Sequence, residues 1–175
     1  SRQIAVDNAG SRRRTLRDLS LFQESVDSLL TRLLLNEKTQ TMRSFAVASA
    51  ASGEGKSTLA SQLAISLVRS TGARVLLVDG DLRSPDIHSI LQVRLEPGLA
   101  EALSNQTALD DAIVPSTIPR LDVLPAGQLA CSPHKLFAEG AFQRLLADAH
   151  ARYDYVVVDT PPVLCASESL YISQA

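Results

Sequence analysis

The sequence predicts an α/β fold, a mostly parallel β-sheet flanked by helices, with one further helix before the first strand. Two observations carry this prediction. The runs at residues 75–78 and 155–158 are almost continuously Val and Leu and are each followed by aspartate, and continuous apolar runs are typical of strands buried on both faces. A glycine-rich segment at residues 51–58 separates a short apolar run from an amphipathic stretch, which is the order of a strand, a loop and a helix.

The elements are expected to alternate along the chain. Strands are predicted at residues 43–48, 74–79, 121–124 and 154–159. Helices are predicted at residues 56–70, in short pieces between 85 and 118 because of Pro97, Gly98 and Pro115, and from Pro133 to about His150; a last segment starts at about Ser167. This alternation is typical of a sheet whose parallel strands are connected by helical crossovers.

The N-terminal region is expected to have two parts. Residues 1–15 are polar and include a basic cluster at residues 12–14, so we expect a flexible basic arm, with attraction to anionic lipid as the alternative. Residues 16–175 are expected to form one domain that begins with a helix. Apolar residues recur along this helix at helical spacing, and their stripe either packs in the core or binds a partner. These residues are Leu16, Leu19, Val26, Leu29, Leu30, Leu33 and Leu34.

Composition and charge exclude several classes of protein. The net charge of −2 gives no indication of nucleic-acid binding, and no run approaches the roughly 18 apolar residues of a membrane span. Cys131 and Cys165 are far apart and fit neither a disulfide framework nor a metal site, so a reducing cytosol is expected. The histidines lie in separate polar surroundings and are expected at the surface. The chain begins without Met and stops abruptly, so we expect part of a longer protein, truncated at the C-terminus.

The glycine-rich segment has the pattern of a phosphate-binding loop, or P-loop. Its expected nucleotide-binding residues are Ser52, Gly53, Glu54, Gly55, Lys56, Ser57 and Thr58. Glycines let consecutive N–H groups turn towards phosphate oxygens, and the N-terminus of the following helix adds partial positive charge. Lys56 is expected to reach the β- and γ-phosphates, and the Ser57 hydroxyl to bind Mg²⁺. The Glu54 side chain is expected to face solvent. The pattern departs at one position, where Ala50 replaces the first glycine.

Aspartates follow two of the predicted strands beyond this loop. Asp79 and Asp81 follow the first of these strands, and Asp159 follows the second. Because ligands of open α/β sheets bind beyond the carboxyl ends of the strands, the loop and the three aspartates are expected at one edge of the sheet. Carboxylate and hydroxyl oxygens are ligands that Mg²⁺ accepts. The sequence therefore predicts a site for Mg²⁺ and a nucleotide.

Three further segments have a distinctive sequence beside the P-loop. Residues 76–85 read LLVDGDLRSP and residues 159–162 read DTPP, while the turn at residues 124–127 reads LPAG. Together these segments resemble the cytoplasmic kinase domain of the bacterial tyrosine kinases (BY-kinases), which lie within the deviant P-loop ATPases. The resemblance runs from about Glu24 to the C-terminus. Ala51 stands where the cell-division and partitioning ATPases of that group carry a signature lysine, which favours the kinase branch.

The resemblance implies a protein-tyrosine kinase that uses ATP and Mg²⁺. It implies that Lys56 and the loop backbone hold the phosphates and that Ser57 binds Mg²⁺ directly. Asp81 and Asp159 would hold the metal, directly or through its waters. Asp79 is then the first candidate for the general base that accepts the proton of the tyrosine hydroxyl. Lys56, Asp79 and Asp81 are thus the implied catalytic residues, and spacing leaves open which of the two aspartates is the base.

The chain departs from the family in its N-terminal helix and its tyrosines. BY-kinases carry a Glu-x-x-Arg-x-x-Arg pattern there for ring-like self-association, but the aligned residues are Glu24, Asp27 and Leu30, so the ring-forming pattern is degenerate. The family's acceptor tyrosines cluster in a C-terminal tail that this sequence does not contain. Tyr153 and Tyr155 flank the start of a strand and are expected to be structural. The family's sheet also continues with a strand beside that of the P-loop.

The function implied by the resemblance is an ATP-dependent protein-tyrosine autokinase that regulates the polymerisation and export of capsule or exopolysaccharide. Its implied partner is a membrane-embedded activator or copolymerase, fused or separate, and its implied location is the cytoplasm at the inner face of the cell membrane. One alternative is a nucleotide-gated scaffold of the same machinery that phosphorylates no protein. A partitioning-type P-loop ATPase is the second alternative.

Overall fold

The computed structural model describes residues 2–37, 39–130, 132–137 and 140–164, with side chains from residue 17 onward. The chain divides into two compact units, Ser1–Gln40 and Thr41–Ala175. The first unit holds helix α1 (Arg2–Leu35), and the second holds the sheet and the other helices. Both cysteines and the segment expected from about Ser167 lie outside the described residues.

Helix α1 is the helix that the sequence predicted before the first strand. Its backbone is helical from Arg2, whereas a flexible arm was expected over residues 1–15, and the domain boundary after residue 15 stays a prediction. Val26 and Leu30 are buried, whereas Leu29 is exposed. Within the described part of the chain, no helix combines the length and the apolar character that crossing a membrane requires.

A five-stranded sheet forms the centre of the second unit. Its strands are β1 (Ser44–Val47), β2 (Val75–Asp79), β3 (Val114–Pro115), β4 (Leu121–Leu124) and β5 (Tyr155–Asp159). The order across the sheet is β1-β5-β2-β4-β3, and all neighbouring strands are parallel except β3 and β4. The predicted mostly parallel sheet is therefore confirmed. The register pairs Asp79 with Asp159 across β2 and β5, which brings two of the predicted site residues together.

Helices cover both faces of this sheet. They are α2 (Lys56–Thr71), α3 (Ile87–Leu91), α4 (Leu99–Leu103), α5 (Leu109–Ala112), α6 (Pro133–Phe137) and α7 (Ala141–His150). Helix α2 packs on β1, β2 and β5. The alternate residues Leu76 and Val78 of β2 belong to a buried cluster with residues of α4, α6 and α7, including Leu99, Phe137 and Phe142. Every residue of β2 is buried, as its continuous apolar run predicted.

Two elements differ from the prediction. Strand β3 was missed, because it is two residues long and Pro115 indicated an interruption; it pairs antiparallel with β4 at the edge of the sheet, where proline is tolerated. The helix predicted from Pro133 to His150 is divided into α6 and α7. Gly140 precedes α7 with a φ of 71°, a left-handed conformation that favours glycine and interrupts a continuous helix.

The C-terminal end of α7 is fixed to the start of β1 by polar contacts. The Arg43 guanidinium donates hydrogen bonds to the carbonyl oxygens of His150, at 2.8 Å, and Asp154, at 3.1 Å. The Ser44 hydroxyl lies 2.8 Å from Nε2 of His150. Burial lowers the pKa of His150 below its usual value of 6.5, and the Arg43 charge lowers it further. His150 is therefore part of the packing between two elements and not simply the surface histidine that the sequence indicated.

We expect His150 to make folding stability depend on pH. Its pKa is lower in the folded protein than the unfolded value of 6.5, so the unfolded chain binds more protons near pH 6. Stability should be complete above that value and fall as the pH drops towards the folded pKa. In a His150→Gln variant this fall should be smaller, as measured by urea unfolding between pH 8 and pH 5. A His134→Gln variant is the control, and identical pH profiles for wild type and His150→Gln would contradict the expectation.

The two tyrosines near β5 have structural contacts. Tyr153 is buried, its hydroxyl donates a hydrogen bond of 2.8 Å to Asp122 Oδ2, and the Arg74 guanidinium lies 5.3 Å from its ring centroid. Burial raises the pKa of Tyr153, and the hydrogen bond to Asp122 raises it further. The ring of Tyr155 stacks on that of Phe45 with centroids 6.2 Å apart. These contacts agree with the predicted structural role of both side chains.

Candidate nucleotide-binding site

The P-loop connects the end of β1 to the start of α2, at the carboxyl edge of the sheet. Gly53 and Gly55 have φ values of +81° and +80°, in the region that glycine adopts without steric cost. Among the described residues, no atom beyond the immediate neighbours lies within 4 Å of either Cβ position, so conformation and not space requires glycine. The Ala51 N–H donates a hydrogen bond of 3.1 Å to Glu54 Oε2. The exposed Glu54 thus bridges the loop from its solvent side, as its predicted orientation requires.

Lys56 and Ser57 are the first residues of α2, and both are buried although they are polar, with 8% and 7% of their surface exposed. The Lys56 Nζ lies 3.9 Å from Asp81 Oδ2. This ion pair joins the start of α2 to the segment that follows β2. A buried ammonium group at a helix N-terminus favours the binding of an anion, because both carry positive charge.

Asp159 is the last residue of β5 and is completely buried. Among the described residues, no donor in bonding geometry reaches either of its carboxylate oxygens. Burial raises the pKa of Asp159 to about 6, although the nearby Ser57 hydroxyl and Lys56 ammonium both lower it. A buried carboxylate without donors is costly unless a cation or another group satisfies it. The Thr160 hydroxyl donates a hydrogen bond of 3.0 Å to the carbonyl oxygen of Val47, which holds the ends of β5 and β1 together.

Asp79 is also completely buried, but its oxygens have backbone partners. Its Oδ2 accepts a hydrogen bond of 3.1 Å from the N–H of Ile87, and its Oδ1 accepts one of 3.3 Å from the N–H of Asp81. Burial raises its pKa to about 8, and the charge of Asp159 contributes in the same direction. Asp79 therefore ties the end of β2 to the first residue of α3.

Asp81 lines an open cavity of ≈ 200 Å³ in front of the P-loop, whereas the other two aspartates do not. Its Oδ1 accepts a hydrogen bond of 3.1 Å from the N–H of Ser84, which fixes the carboxylate beside Lys56. The predicted residues Ser52, Gly53, Gly55, Lys56, Ser57, Thr58 and Asp81 all line this cavity. Sequence reasoning missed three further lining residues, Ser84, Asp86 and Ile90. The only signal for them was their position just after the second aspartate of the segment at residues 76–85.

The residues present fit a hydrated Mg²⁺ ion. Among the described residues there is no group of three or more His, Cys, Asp or Glu side chains placed to enclose a metal. Mg²⁺ usually keeps several waters and takes only one or two carboxylates together with substrate phosphates. The unsatisfied carboxylate of Asp159 beside the Ser57 hydroxyl meets that requirement, with Asp81 on the cavity wall.

A second cavity of ≈ 270 Å³ lies away from this site. Residues of α4, α5 and α7 line it, among them Arg144 and Asp148. It contains none of the predicted site residues. The candidate nucleotide site is therefore the cavity of ≈ 200 Å³ in front of the P-loop.

A P-loop before a helix, with aspartates at the same edge of a parallel sheet, defines a nucleotide-binding domain of the P-loop ATPase class. A model of the AAA domain family matches residues 42–175. The tyrosine-protein kinase YwqD of Bacillus subtilis is 33% identical over 150 residues, which are 86% of this chain and 63% of YwqD.

Solved structures agree with these matches. The VpsO kinase domain has a TM-score of 0.77 and 33% identity, over 90% of this chain and 78% of VpsO. The kinase domain of the Escherichia coli tyrosine kinase ETK has a TM-score of 0.78 and 30% identity, over 87% of this chain and 59% of ETK. The chain belongs to the bacterial tyrosine kinase family, within the P-loop ATPases, and the resemblance found in the sequence is confirmed.

Proposed function

We propose that this chain is the nucleotide-binding part of an ATP-dependent protein-tyrosine kinase, which regulates the polymerisation and export of capsule or exopolysaccharide. The observation that carries the proposal is the cavity in front of the P-loop, where the buried Lys56 ammonium lies 3.9 Å from Asp81. The name of YwqD, a tyrosine-protein kinase, supports the activity. The chain spans only 63% of the length of YwqD.

The site residues divide the work of phosphoryl transfer between them. Lys56 and the backbone N–H groups of residues 53–58 would bind the β- and γ-phosphates of ATP, because cationic and N–H donors neutralise phosphate oxygens. Ser57, Asp81 and Asp159 would hold Mg²⁺, which supplies further charge neutralisation when bound. Among the described residues that line the cavity, Lys56 is the one cationic side chain, and it is assigned to the phosphates. Asp159, whose oxygens have no hydrogen-bond donor among the residues described, is assigned to Mg²⁺.

The remaining requirement is a proton acceptor for the tyrosine hydroxyl. The phenolic oxygen forms a bond to the γ-phosphorus, the bond from that phosphorus to the β–γ bridging oxygen breaks, and ADP leaves with the electron pair. The phenolic proton passes to a carboxylate of the site. The resemblance favours Asp79, but both of its oxygens accept backbone hydrogen bonds, whereas Asp81 lines the cavity. Both residues therefore stay candidates for the base.

A membrane-embedded activator or copolymerase, fused or separate, is the proposed partner, and the proposed location is the inner face of the cell membrane. Both proposals are based on the membership of this chain in the bacterial tyrosine kinase family, to which its relative YwqD, a tyrosine-protein kinase, also belongs. Self-association through α1 is a weaker part of the proposal, because Asp27 and Leu30 replace the arginines of the family pattern. No role in nucleic-acid binding is proposed.

The experiment is to incubate the full-length protein that contains this chain with Mg·ATP and to follow phosphotyrosine by mass spectrometry. We expect phosphate on tyrosines other than Tyr153 and Tyr155, since these two have structural contacts. Nucleotide binding without phosphotyrosine, even with the membrane activator segment supplied, would leave the nucleotide-gated scaffold as the function. A partitioning-type ATPase would instead hydrolyse ATP and form nucleotide-dependent dimers without phosphotyrosine.

A further inference from the structure

The cavity in front of the P-loop has two walls of different chemistry. Residues 52–58 form one wall, and its N–H groups, hydroxyls and ammonium suit phosphate oxygens. The other wall comes from the segment after β2 and includes Ser84, Asp86 and Ile90. None of these three side chains has a role in the proposed binding of ATP or Mg²⁺.

Hydrogen bonds hold this second wall in position. Asp79 accepts the N–H of Ile87 at 3.1 Å, and Asp81 accepts the N–H of Ser84 at 3.1 Å. Ile87 itself is completely buried, so the start of α3 is anchored in the core. Asp86 and Ile90 are four residues apart on this helical segment, a spacing that places two side chains on the same face.

The side chains of the second wall suit the binding of a phenol better than the binding of a phosphate group. Ile90 is 42% exposed and is the one large apolar side chain among the described residues that line this cavity. Asp86 and Ser84 add a carboxylate and a hydroxyl, both of which accept hydrogen bonds. A carboxylate repels phosphate oxygens unless a cation lies between them, and the proposed Mg²⁺ ligands are Ser57, Asp81 and Asp159. A tyrosine side chain offers an apolar ring together with a single O–H donor, which is the complement of this wall.

We propose that Ser84, Asp86 and Ile90 form the subsite that receives the tyrosine side chain of the phosphate acceptor. Ile90 packs against the ring, Asp86 accepts the hydrogen bond of the hydroxyl as the acceptor binds, before the proton passes to the base, and the Ser84 hydroxyl donates a hydrogen bond to the phenolic oxygen. The hydroxyl then faces the phosphates held by the P-loop across the same cavity. This proposal rests on the proposed kinase function and adds the residues that select tyrosine.

The test uses the full-length protein with Mg·ATP, a peptide that carries one tyrosine among glycines and serines, and its phenylalanine counterpart as a competitive inhibitor. Ile90→Ala should raise the KM for the tyrosine peptide and the Ki of the phenylalanine peptide by the same factor, about five- to tenfold, because both rings lose the same apolar contact. Asp86→Ala, which removes both acceptor oxygens, should raise the KM for the tyrosine peptide but leave the Ki of the phenylalanine peptide unchanged, since that ring has no hydroxyl. Leu129→Ala, at an exposed leucine that does not line the cavity, is the matched control.

Two results would overturn the subsite while the kinase stands. In the first, Ile90→Ala raises the KM for ATP and leaves that for the peptide unchanged, which would assign the wall to the nucleotide. In the second, neither variant changes the KM for the peptide. If the wild type makes no phosphotyrosine, the proposed function fails, and peptide binding to the complex with Mg²⁺ and a non-hydrolysable ATP analogue decides the subsite separately. Binding that Ile90→Ala weakens supports it, and absence of binding overturns it.

Discussion

A Lys56→Met variant is expected to lose protein-tyrosine phosphorylation almost completely while it keeps its fold. Lys56 Nζ lies 3.9 Å from Asp81, at the P-loop wall of the cavity, and 8% of the residue is exposed. Loss of a preorganised charge that stabilises the transferring phosphoryl group typically lowers kcat by about 10²- to 10³-fold. Methionine has a similar volume, but it leaves the buried Asp81 carboxylate without its cation, so the variant should keep its fold with a lower Tm. Phosphotyrosine formed per minute by the full-length protein with Mg·ATP measures the effect.

The control for this variant is Lys135→Met, which removes an exposed lysine from α6. Thermal unfolding separates the loss of function from a loss of fold. Wild type and Lys135→Met should both be stabilised by Mg·ATP, because a ligand that binds only the folded state raises the Tm. Lys56→Met should have a lower Tm without nucleotide, because Asp81 loses its partner, and a much smaller increase with Mg·ATP. A Lys56→Met protein that forms phosphotyrosine at the wild-type rate would contradict the proposed role of this residue.

An Asp159→Asn variant is expected to lose activity and gain stability. Asp159 is completely buried, no donor among the described residues reaches its oxygens, and its charge raises the pKa of Asp79. The amide keeps the shape of the side chain and removes a buried negative charge, so the Tm of the nucleotide-free protein should rise. The same change removes a carboxylate that would hold Mg²⁺. We expect phosphorylation to fall by about 10²-fold or more, in line with the loss of other electrostatic contributions to a transition state.

The measurements for Asp159→Asn are the Tm without nucleotide and phosphotyrosine formation over a series of Mg²⁺ concentrations. Asp148→Asn, at an exposed position of α7, is the control and should change neither. A lower Tm for Asp159→Asn would show that the carboxylate stabilises the fold. Unchanged activity at low Mg²⁺ would exclude it from the metal site.

The sheet could be predicted because its signals are local and strong. β2 and β5 are continuous apolar runs, and β4 was predicted with the bounds that the structure has. The errors arose where one residue decides the backbone. Gly140, with a φ of 71°, interrupts the helix predicted through it. Pro115 was read as a break in helical structure, although a two-residue edge strand accommodates it.

The candidate site could be predicted where its residues are contiguous in one sequence motif. Lys56, Ser57 and their neighbours form a contiguous segment, and the rule that ligands bind at the carboxyl ends of strands placed Asp81 beside them. The second wall of the cavity was not predictable in this way. Asp86 and Ile90 line the same cavity as the P-loop, in a segment that Asp79 and Asp81 hold by accepting its backbone N–H groups. Nothing in the pattern of residues distinguishes such bonds from those of an ordinary turn.

The hydrogen bond from Ile87 to Asp79 also affects the order in which ligands bind. Ile87 is completely buried and its N–H is bonded to Asp79 within the protein itself, so the start of α3, followed one turn later by Ile90, is fixed by contacts that need no ligand. Ordering a flexible backbone costs about 1–2 kcal/mol per residue, and here that cost is met when the protein folds. For the proposed kinase we therefore expect ATP and the acceptor to meet preorganised surfaces and to bind in either order, so that initial-rate kinetics follow a random sequential scheme.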